Sequence, residues 1–196
     1  MRGLLLFCFL GATPACVEAG PGSGSYPVKH MQEVATVNAA PAADDVVIVF
    51  ARPTRDDWQV QWSVFEVVEE QPAALVGILG ALKKVVYRGT PGRHLFMALG
   101  ANGTDFVTAN LEAGKLYYVL LMPGESSVSL QPVRASDHHE VAQRLAQASW
   151  VQTTSDSLAW ARENADDIEA KRFKYYGIWR HKPSFERLAL FPDDGE

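Results

Sequence analysis

Short β-branched and aromatic segments, separated by glycine, proline and asparagine, recur between residues 46 and 133 of this 196-residue chain. Such segments, with turn signals at regular spacing, are typical of strands in an all-β domain. Asn102-Gly103 is a hairpin signal, because both residues accept the positive φ that a type I′ turn requires. The predicted strands are residues 46–50, 60–67, 75–79, 85–87, 94–99, 104–111, 116–121 and 128–133. The pattern predicts a mainly β fold, an antiparallel sandwich or barrel, and we expect an antiparallel β-sandwich of about seven to eight strands over residues 44–134.

The core of this sandwich is predicted from the large apolar side chains of the strands. A chain of this length can bury roughly 70% of the surface that its unfolded form exposes, which is enough for one sizeable core. Seven side chains are expected to be largely buried: Phe50, Trp62, Phe65, Phe96, Tyr118, Leu120 and Leu130.

Residues 135–196 have a different pattern and are predicted to form a helical C-terminal extension with a pair of α-helices. Asp137 and Glu140 have the spacing of a capping box, which predicts a first helix that ends near residue 149. Ser155 is placed to cap a second helix that ends near residue 176, with Gly177 as its C-cap. Five apolar residues are expected on one face of the second helix: Leu158, Ala161, Ala165, Ile168 and Tyr176. We expect this face to pack on the sandwich or on a partner.

The N-terminal residues have the layout of a secretory signal peptide. Arg2 precedes a short apolar run, and small residues lead from that run to Cys16. A cysteine at this place resembles the lipobox of bacterial lipoproteins, in which it becomes the lipidated first residue. We therefore expect residues 1–15 to be a signal peptide and Cys16 to be lipidated. The alternative is ordinary secretion with cleavage near Ala15 or Ala19.

Residues 16–43 are predicted to be the lipidated N-terminus and a flexible tether, because residues 20–25 consist of glycine, proline and serine. Cys8 would leave with the signal peptide, so no cysteine pair remains for an internal disulfide. In Gram-negative lipoproteins an aspartate after the cysteine retains the protein at the inner membrane. Val17 stands there instead. The resemblance therefore implies a lipid anchor in the outer membrane, facing the periplasm; the alternative is a soluble periplasmic or secreted protein.

Composition and motif spacing exclude several function classes. A net charge of −5 argues against nucleic acid as a general partner. His139-Glu140 begins a sequence similar to the helix motif of zinc proteases, but Gln143 stands where the second histidine is required. His138 and His139 are adjacent and project about 100° apart on a helix, so we expect a solvated pair rather than a metal site. No metal and no cofactor are predicted.

No catalytic constellation is predicted either. Residues 124–128 lack the second glycine of a nucleophile elbow. The aspartates near residues 44 and 56 belong to predicted loops, and His94 begins a strand, where a packing or turn role is expected. We therefore expect a non-catalytic protein. A periplasmic hydrolase would require a convergent polar pocket that the sequence does not show.

Three segments carry a resemblance to a known family: residues 47–53, 89–94 and 111–119. They include Pro91-Gly92-Arg93-His94 at a strand start and Ala113-Gly114-Lys115-Leu116-Tyr117-Tyr118 before and within another strand. These segments resemble uncharacterised Gram-negative lipoproteins whose domain is similar to the transthyretin and carboxypeptidase-regulatory β-sandwiches. The resemblance implies a sandwich fold and an envelope location, and it brings no assigned activity.

The segment 171–187 is rich in both basic and aromatic residues. Cations gain Coulomb energy at an anionic surface and aromatic rings favour its boundary, so this composition suits an interface. The candidate binding residues are Arg172, Lys174, Tyr175, Tyr176, Trp179, Arg180 and Lys182. The alternative is structural: the aromatic rings pack on the sandwich and the cations complement the acidic stretch 163–169.

The sequence as a whole favours a lipid-anchored, non-catalytic envelope protein whose β-sandwich and helical tail bind a partner. The expected partners are the membrane, through the N-terminal lipid, and an envelope protein or an anionic surface. A structural subunit of an envelope or secretion assembly is the alternative.

Overall fold

The computed structural model describes residues 29–56, 59–101, 103–124 and 128–196. Within these ranges the protein is mainly β, with eleven strands in two sheets and three α-helices. The strands are β1 (Met31–Val34), β2 (Val46–Arg52), β3 (Trp62–Glu66), β4 (Ala74–Leu79), β5 (Lys83–Gly89), β6 (Gly92–Leu99), β7 (Thr104–Leu111), β8 (Leu116–Met122), β9 (Ser129–Pro132), β10 (Ser149–Thr153) and β11 (Ala189–Leu190). The eight predicted strands are confirmed as β2 to β9, with ends that differ by a few residues.

Both sheets are mixed, so the predicted antiparallel arrangement is confirmed only in part. The six-stranded sheet has the order β1-β10-β5-β2-β8-β9, and the five-stranded sheet has the order β11-β7-β6-β3-β4. The pairs β3–β4, β6–β7 and β8–β9, each formed by neighbours in the chain, are antiparallel. The pairs β2–β8, β5–β10 and β7–β11 are parallel. A short turn forces antiparallel pairing, whereas strands far apart in the chain can pair in either direction.

The two sheets share one hydrophobic core. The rings of Phe50 on β2 and Phe96 on β6 meet edge to face across it, with centroids 5.1 Å apart. Burial is confirmed for six of the seven predicted core residues, all but Tyr118. On β8 it is Tyr117 that is fully buried in this core, because alternate residues of a strand face opposite sides. The six are Phe50, Trp62, Phe65, Phe96, Leu120 and Leu130.

A strand lies where the sequence predicted a flexible tether. Residues Met31–Val34 form β1, which pairs antiparallel with β10 at the edge of the six-stranded sheet. Glu33 on β1 forms an ion pair of 2.7 Å with Lys83, whose side chain is almost fully buried. This pair gives the short strand a fixed position that its composition did not indicate. Cys16 and the predicted signal peptide lie outside the described residues.

The C-terminal extension is only partly helical. The first predicted helix is α1 (His138–Arg144), followed by a short 3-10 turn and then β10. Asp137 makes no side-chain capping bond. The region also supplies β11, so it contributes a strand to each sheet.

The second predicted helix is two helices, α2 (Ser155–Glu163) and α3 (Ala165–Trp179), which meet at Asn164. Thr154, rather than Ser155, is the N-cap of α2, and its hydroxyl accepts a 3.2 Å hydrogen bond from the Ser157 amide. Gly177 lies inside α3 and is not a C-cap. The break at Asn164 interrupts the predicted apolar face: Ile168 is buried, whereas Leu158 and Tyr176 are exposed.

The helices cover the outer faces of the two sheets. Val141 of α1 packs with Val49 and Leu120 on the six-stranded sheet. Ile168 and Trp179 of α3 pack on the outer face of the five-stranded sheet. No helix of the described residues is both long and apolar enough to cross a membrane.

Candidate binding site

A groove of about 680 Å³ lies between α3, strands β6 and β7, and the turn that follows β3. A smaller cavity of about 310 Å³ shares Arg93, His94 and Thr108 with it and continues towards β11. The residues that line the groove are Glu66, Val67, Val68, Glu69, Glu70, Arg93, His94, Leu95, Thr108, Arg172, Phe173, Tyr176 and Trp179. The groove is therefore built from both the sheet and the C-terminal extension.

The floor of the groove is the part of the sheet that α3 leaves uncovered. Leu95 and Thr108 are register partners on β6 and β7, so they lie side by side. Two residues away on β7, on the same face of the sheet, Phe106 is buried beneath the helix, with its ring 5.7 Å from that of Trp179. Helix α3 therefore covers Phe106 on this outer face but leaves Leu95 and Thr108 open to the groove.

Aromatic residues of α3 form one wall of the groove. The Tyr176 ring stacks on Trp179 at 5.8 Å and meets Phe106 edge to face at 5.6 Å. Phe173, one helical turn before Tyr176, is 68% exposed. A large apolar side chain that stands beside a groove without being covered is an indication of a binding surface.

A hydrogen-bonded group of three side chains lies beside Phe96 on the inner side of the five-stranded sheet, and two of its members, Glu66 and His94, also contribute to the groove lining. Glu66 Oε1 accepts a 2.8 Å hydrogen bond from the Tyr87 hydroxyl and lies 2.7 Å from His94 Nδ1. The Nε2–H of His94 donates to the Thr90 carbonyl at 2.8 Å. Burial, followed by the hydrogen bond to Glu66, raises the pKa of Tyr87 well above its usual value. With both ring nitrogens engaged, His94 fixes Glu66 in place and has no free nitrogen to serve as a base here.

Two side chains of α3 tie the helix to the turn at the end of the groove. Glu169 accepts a 2.9 Å hydrogen bond from the Ala73 amide and pairs with Arg172 at 2.7 Å. Arg172 also donates to the Gln71 carbonyl at 2.9 Å. These bonds hold the helical wall against the sheet, so Arg172 has a structural role as well as a place in the groove lining.

The structure divides the seven candidate binding residues into three groups. Arg172, Tyr176 and Trp179 line the groove, although Trp179 is largely buried. Tyr175, which belongs to α3, is partly buried and packs against the apolar cluster that contains Phe106 and Ile168. The remaining three are exposed cations: Lys174, Arg180 and Lys182.

Sequence reasoning did not identify the groove residues contributed by the sheet and by the turn after β3. Glu66 ends β3 and Leu95 lies within β6, and no local sequence signal distinguishes them from other strand residues. They line the groove because α3, which is distant in the chain, leaves them open. Phe173 lies inside the basic and aromatic segment 171–187 but is not among the seven predicted binding residues.

The two adjacent histidines differ from the prediction of a solvated pair. His139 is exposed and lies 2.9 Å from the Gln143 amide nitrogen. His138 is 1% exposed, and its ring meets Tyr118 edge to face at 4.9 Å. Helix α1 packs against the outer face of the six-stranded sheet, which buries His138 although it stands at a helix start. No group of three or more potential metal ligands is found among the described residues.

No family model matches this sequence, and no curated protein matches it significantly.

Proposed function

We propose that this protein is a lipid-anchored, non-catalytic component of the cell envelope that binds an apolar segment of a partner protein in the α3 groove. The observation that carries the proposal is the exposed Phe173, which stands with Tyr176 over a groove whose floor contains Leu95. Partner binding would cover these side chains and remove apolar surface from water.

The groove's chemistry suits binding better than catalysis. Glu66 and His94 are occupied with each other and with Tyr87 and Thr90, so these polar side chains are fixed by the fold rather than held ready for a substrate. Glu69, Glu70 and Arg93 supply charges of both signs at the groove. Such a site can orient a segment by its polar flanks while an apolar side chain fills the centre.

The proposed anchor is Cys16, supported by the signal-like residues before it and by the resemblance to envelope lipoproteins. An anchored domain meets its partner at the membrane surface, where a groove of moderate affinity gains from the raised local concentration. The proposed location is the periplasmic side of the outer membrane.

A photo-crosslinking residue placed at Phe173 tests the groove in intact cells. We expect a discrete crosslinked product with one partner protein, and mass spectrometry should locate the crosslink in an apolar segment. The matched control is the same crosslinker at Leu158, which is also an exposed apolar position but lies on α2, outside the groove lining.

A second variant, Thr108→Arg, should fill the groove floor and remove the product while the protein stays folded by circular dichroism. The groove is not the binding site if the product forms equally from Leu158, or if it survives Thr108→Arg.

The anchor has its own test. The unaltered protein should partition into the detergent phase of an envelope extract, and Cys16→Ser should move it to the aqueous phase, since acyl chains provide the anchoring. Retention of the serine variant in the detergent phase would contradict lipidation at Cys16.

A further inference from the structure

Ion pairing divides the cations of the C-terminal region into two sets. Lys171 pairs with Asp167 at 2.8 Å, and Arg172 pairs with Glu169 at 2.7 Å. No carboxylate among the described residues forms an ion pair with the three cations that follow: Lys174, Arg180 and Lys182. The acidic stretch before them therefore neutralises only the first part of the basic segment.

Exposed apolar side chains accompany these three unpaired cations. Seven large hydrophobic side chains are exposed among the described residues, and all of them lie between residues 158 and 191. Ile178 is 56% exposed and Phe185 is 83% exposed, and neither lines the groove. We name the set Lys174, Ile178, Arg180, Lys182 and Phe185 the basic end.

We propose that the basic end binds the surface of anionic phospholipid membranes. Lys and Arg side chains gain Coulomb energy near anionic headgroups, while apolar side chains enter the boundary between headgroups and acyl chains. The whole chain carries a net charge of −5, so this attraction depends on a local concentration of cations. Residues 174–187 provide it, with four Lys and Arg side chains against one Glu.

A membrane surface fits the basic end better than a protein partner does. The three cations have long, exposed side chains that no carboxylate of the described residues pairs with, although Lys174 also lies 5.0 Å from the centroid of the Tyr175 ring. Fluid headgroups can adjust to such charges without shape complementarity. The groove, by contrast, has fixed walls and a defined floor, as expected where a folded or extended protein segment binds. The basic end therefore acts independently of the proposed groove function.

Vesicle binding by the full chain with Cys16→Ser tests this proposal without the lipid anchor. The probes are vesicles of equal parts phosphatidylglycerol and phosphatidylcholine, and vesicles of phosphatidylcholine alone. We expect binding to the anionic vesicles only, and weaker binding as salt rises from about 0.1 M to about 1 M, where the screening length falls from about 10 Å to about 3 Å.

Two variants on the same Cys16→Ser background should weaken vesicle binding. Since each basic side chain near an anionic surface strengthens binding about fivefold, replacing Lys174, Arg180 and Lys182 by Gln should lower the affinity roughly 100-fold. The pair Ile178→Ser and Phe185→Ser should weaken it about tenfold or more through lost apolar contact. Leader residues are present in every variant, so their contribution cancels in the comparison.

The matched control replaces three other exposed arginines by Gln: Arg55, Arg144 and Arg162. It removes the same total charge and should leave binding within about twofold of the parent, because these positions lie outside the basic end. The proposal is overturned if the control loses affinity equally, or if neutral and anionic vesicles bind alike. It is also overturned if the basic-end variants bind vesicles normally but lose the crosslinked protein partner.

Discussion

The outer faces of the two sheets are covered by helices in different ways. On the six-stranded sheet, Val141 and Leu145 are buried against Val49 and Leu120. On the five-stranded sheet, α3 buries Phe106 but leaves the neighbouring floor of the groove open. The first face has a closed apolar layer at its centre, and the second combines a packed layer with an open groove.

The difference follows from how each helix returns to its sheet. Helix α1 has 7 residues and leads within a few residues to β10, which joins the same sheet that α1 covers. Helix α3 has 15 residues, and Glu169 in its first half accepts a hydrogen bond from the Ala73 amide. After the helix, the chain returns to the sheet only at β11. A long connection between two attachments leaves side chains free for binding. A helix packed on a sheet therefore closes one outer face and leaves a groove on the other, where we propose that a partner binds.

The largest expected effect tests whether both faces are packed layers under their helices. Phe65→Ala removes a fully buried ring beneath α3 and should lower the free energy of unfolding by about 3–5 kcal/mol. Leu120→Ala, beneath α1, should lower it by about 2–5 kcal/mol. Urea denaturation measures both. A loss below about 1 kcal/mol for either would show that its helix is not packed as described.

The next effect concerns the edge of the six-stranded sheet, where β1 pairs with β10. Glu33→Gln leaves the buried Lys83 ammonium without its carboxylate and should cost about 1.5–3 kcal/mol. Glu112→Gln is the matched control, because its ion pair with Lys115 lies at the surface, where solvent screens it, and its loss should change stability much less. Equal losses in the two variants would mean that β1 is not held by this pair.

A smaller effect concerns the hydrogen-bonded group of Tyr87, Glu66 and His94. Tyr87→Phe removes the hydrogen bond to Glu66 and should cost about 1 kcal/mol at neutral pH. The pKa of Tyr87 is raised above the usual tyrosine value of 10.0, so the folded protein holds this proton more tightly than the unfolded chain. The associated stability is complete below pH 10 and is lost as pH rises above it.

The pH series distinguishes this tyrosine from others. The stability difference between the parent and Tyr87→Phe should therefore shrink above about pH 10. Tyr176→Phe is the control for the loss of a tyrosine hydroxyl, since that ring is exposed at the groove wall and is not bonded to Glu66. A difference for Tyr87→Phe that stays constant through alkaline pH would contradict the raised pKa of Tyr87, which burial and then the hydrogen bond to Glu66 produce.

The smallest expected effect sharpens the comparison of the helices themselves. Phe173→Ser on α3 should change stability by under about 0.5 kcal/mol, because the ring is already in water. Val141→Ser on α1 should cost about 1.5–3 kcal/mol, because Val141 is buried. Thermal and urea unfolding of the two variants measure the contrast, and similar losses would show that α3 is covered as completely as α1.

The sequence by itself determined the central strands and most of the core. Alternation and turn signals located β2 to β9, and large apolar residues such as Phe50 and Phe96 are buried as expected. These features depend on local patterns: strand propensity, turn chemistry and the burial of apolar area. The basic and aromatic composition of residues 171–187 also predicted a binding surface, and three of the predicted residues line the groove: Arg172, Tyr176 and Trp179.

Only the tertiary structure decided the pairing directions, the added strands β1, β10 and β11, and the identity of the groove. Parallel pairing of β2 with β8 joins segments nearly 70 positions apart, and no local pattern specifies its direction. Glu66, Leu95 and Phe173 form one groove because a helix from the C-terminal region covers part of a sheet face and stops. The same packing buried Trp179 and left Lys174 exposed, although both belong to one basic and aromatic segment. Which side chain of such a segment is structural and which is free to bind depends on what lies opposite it in space.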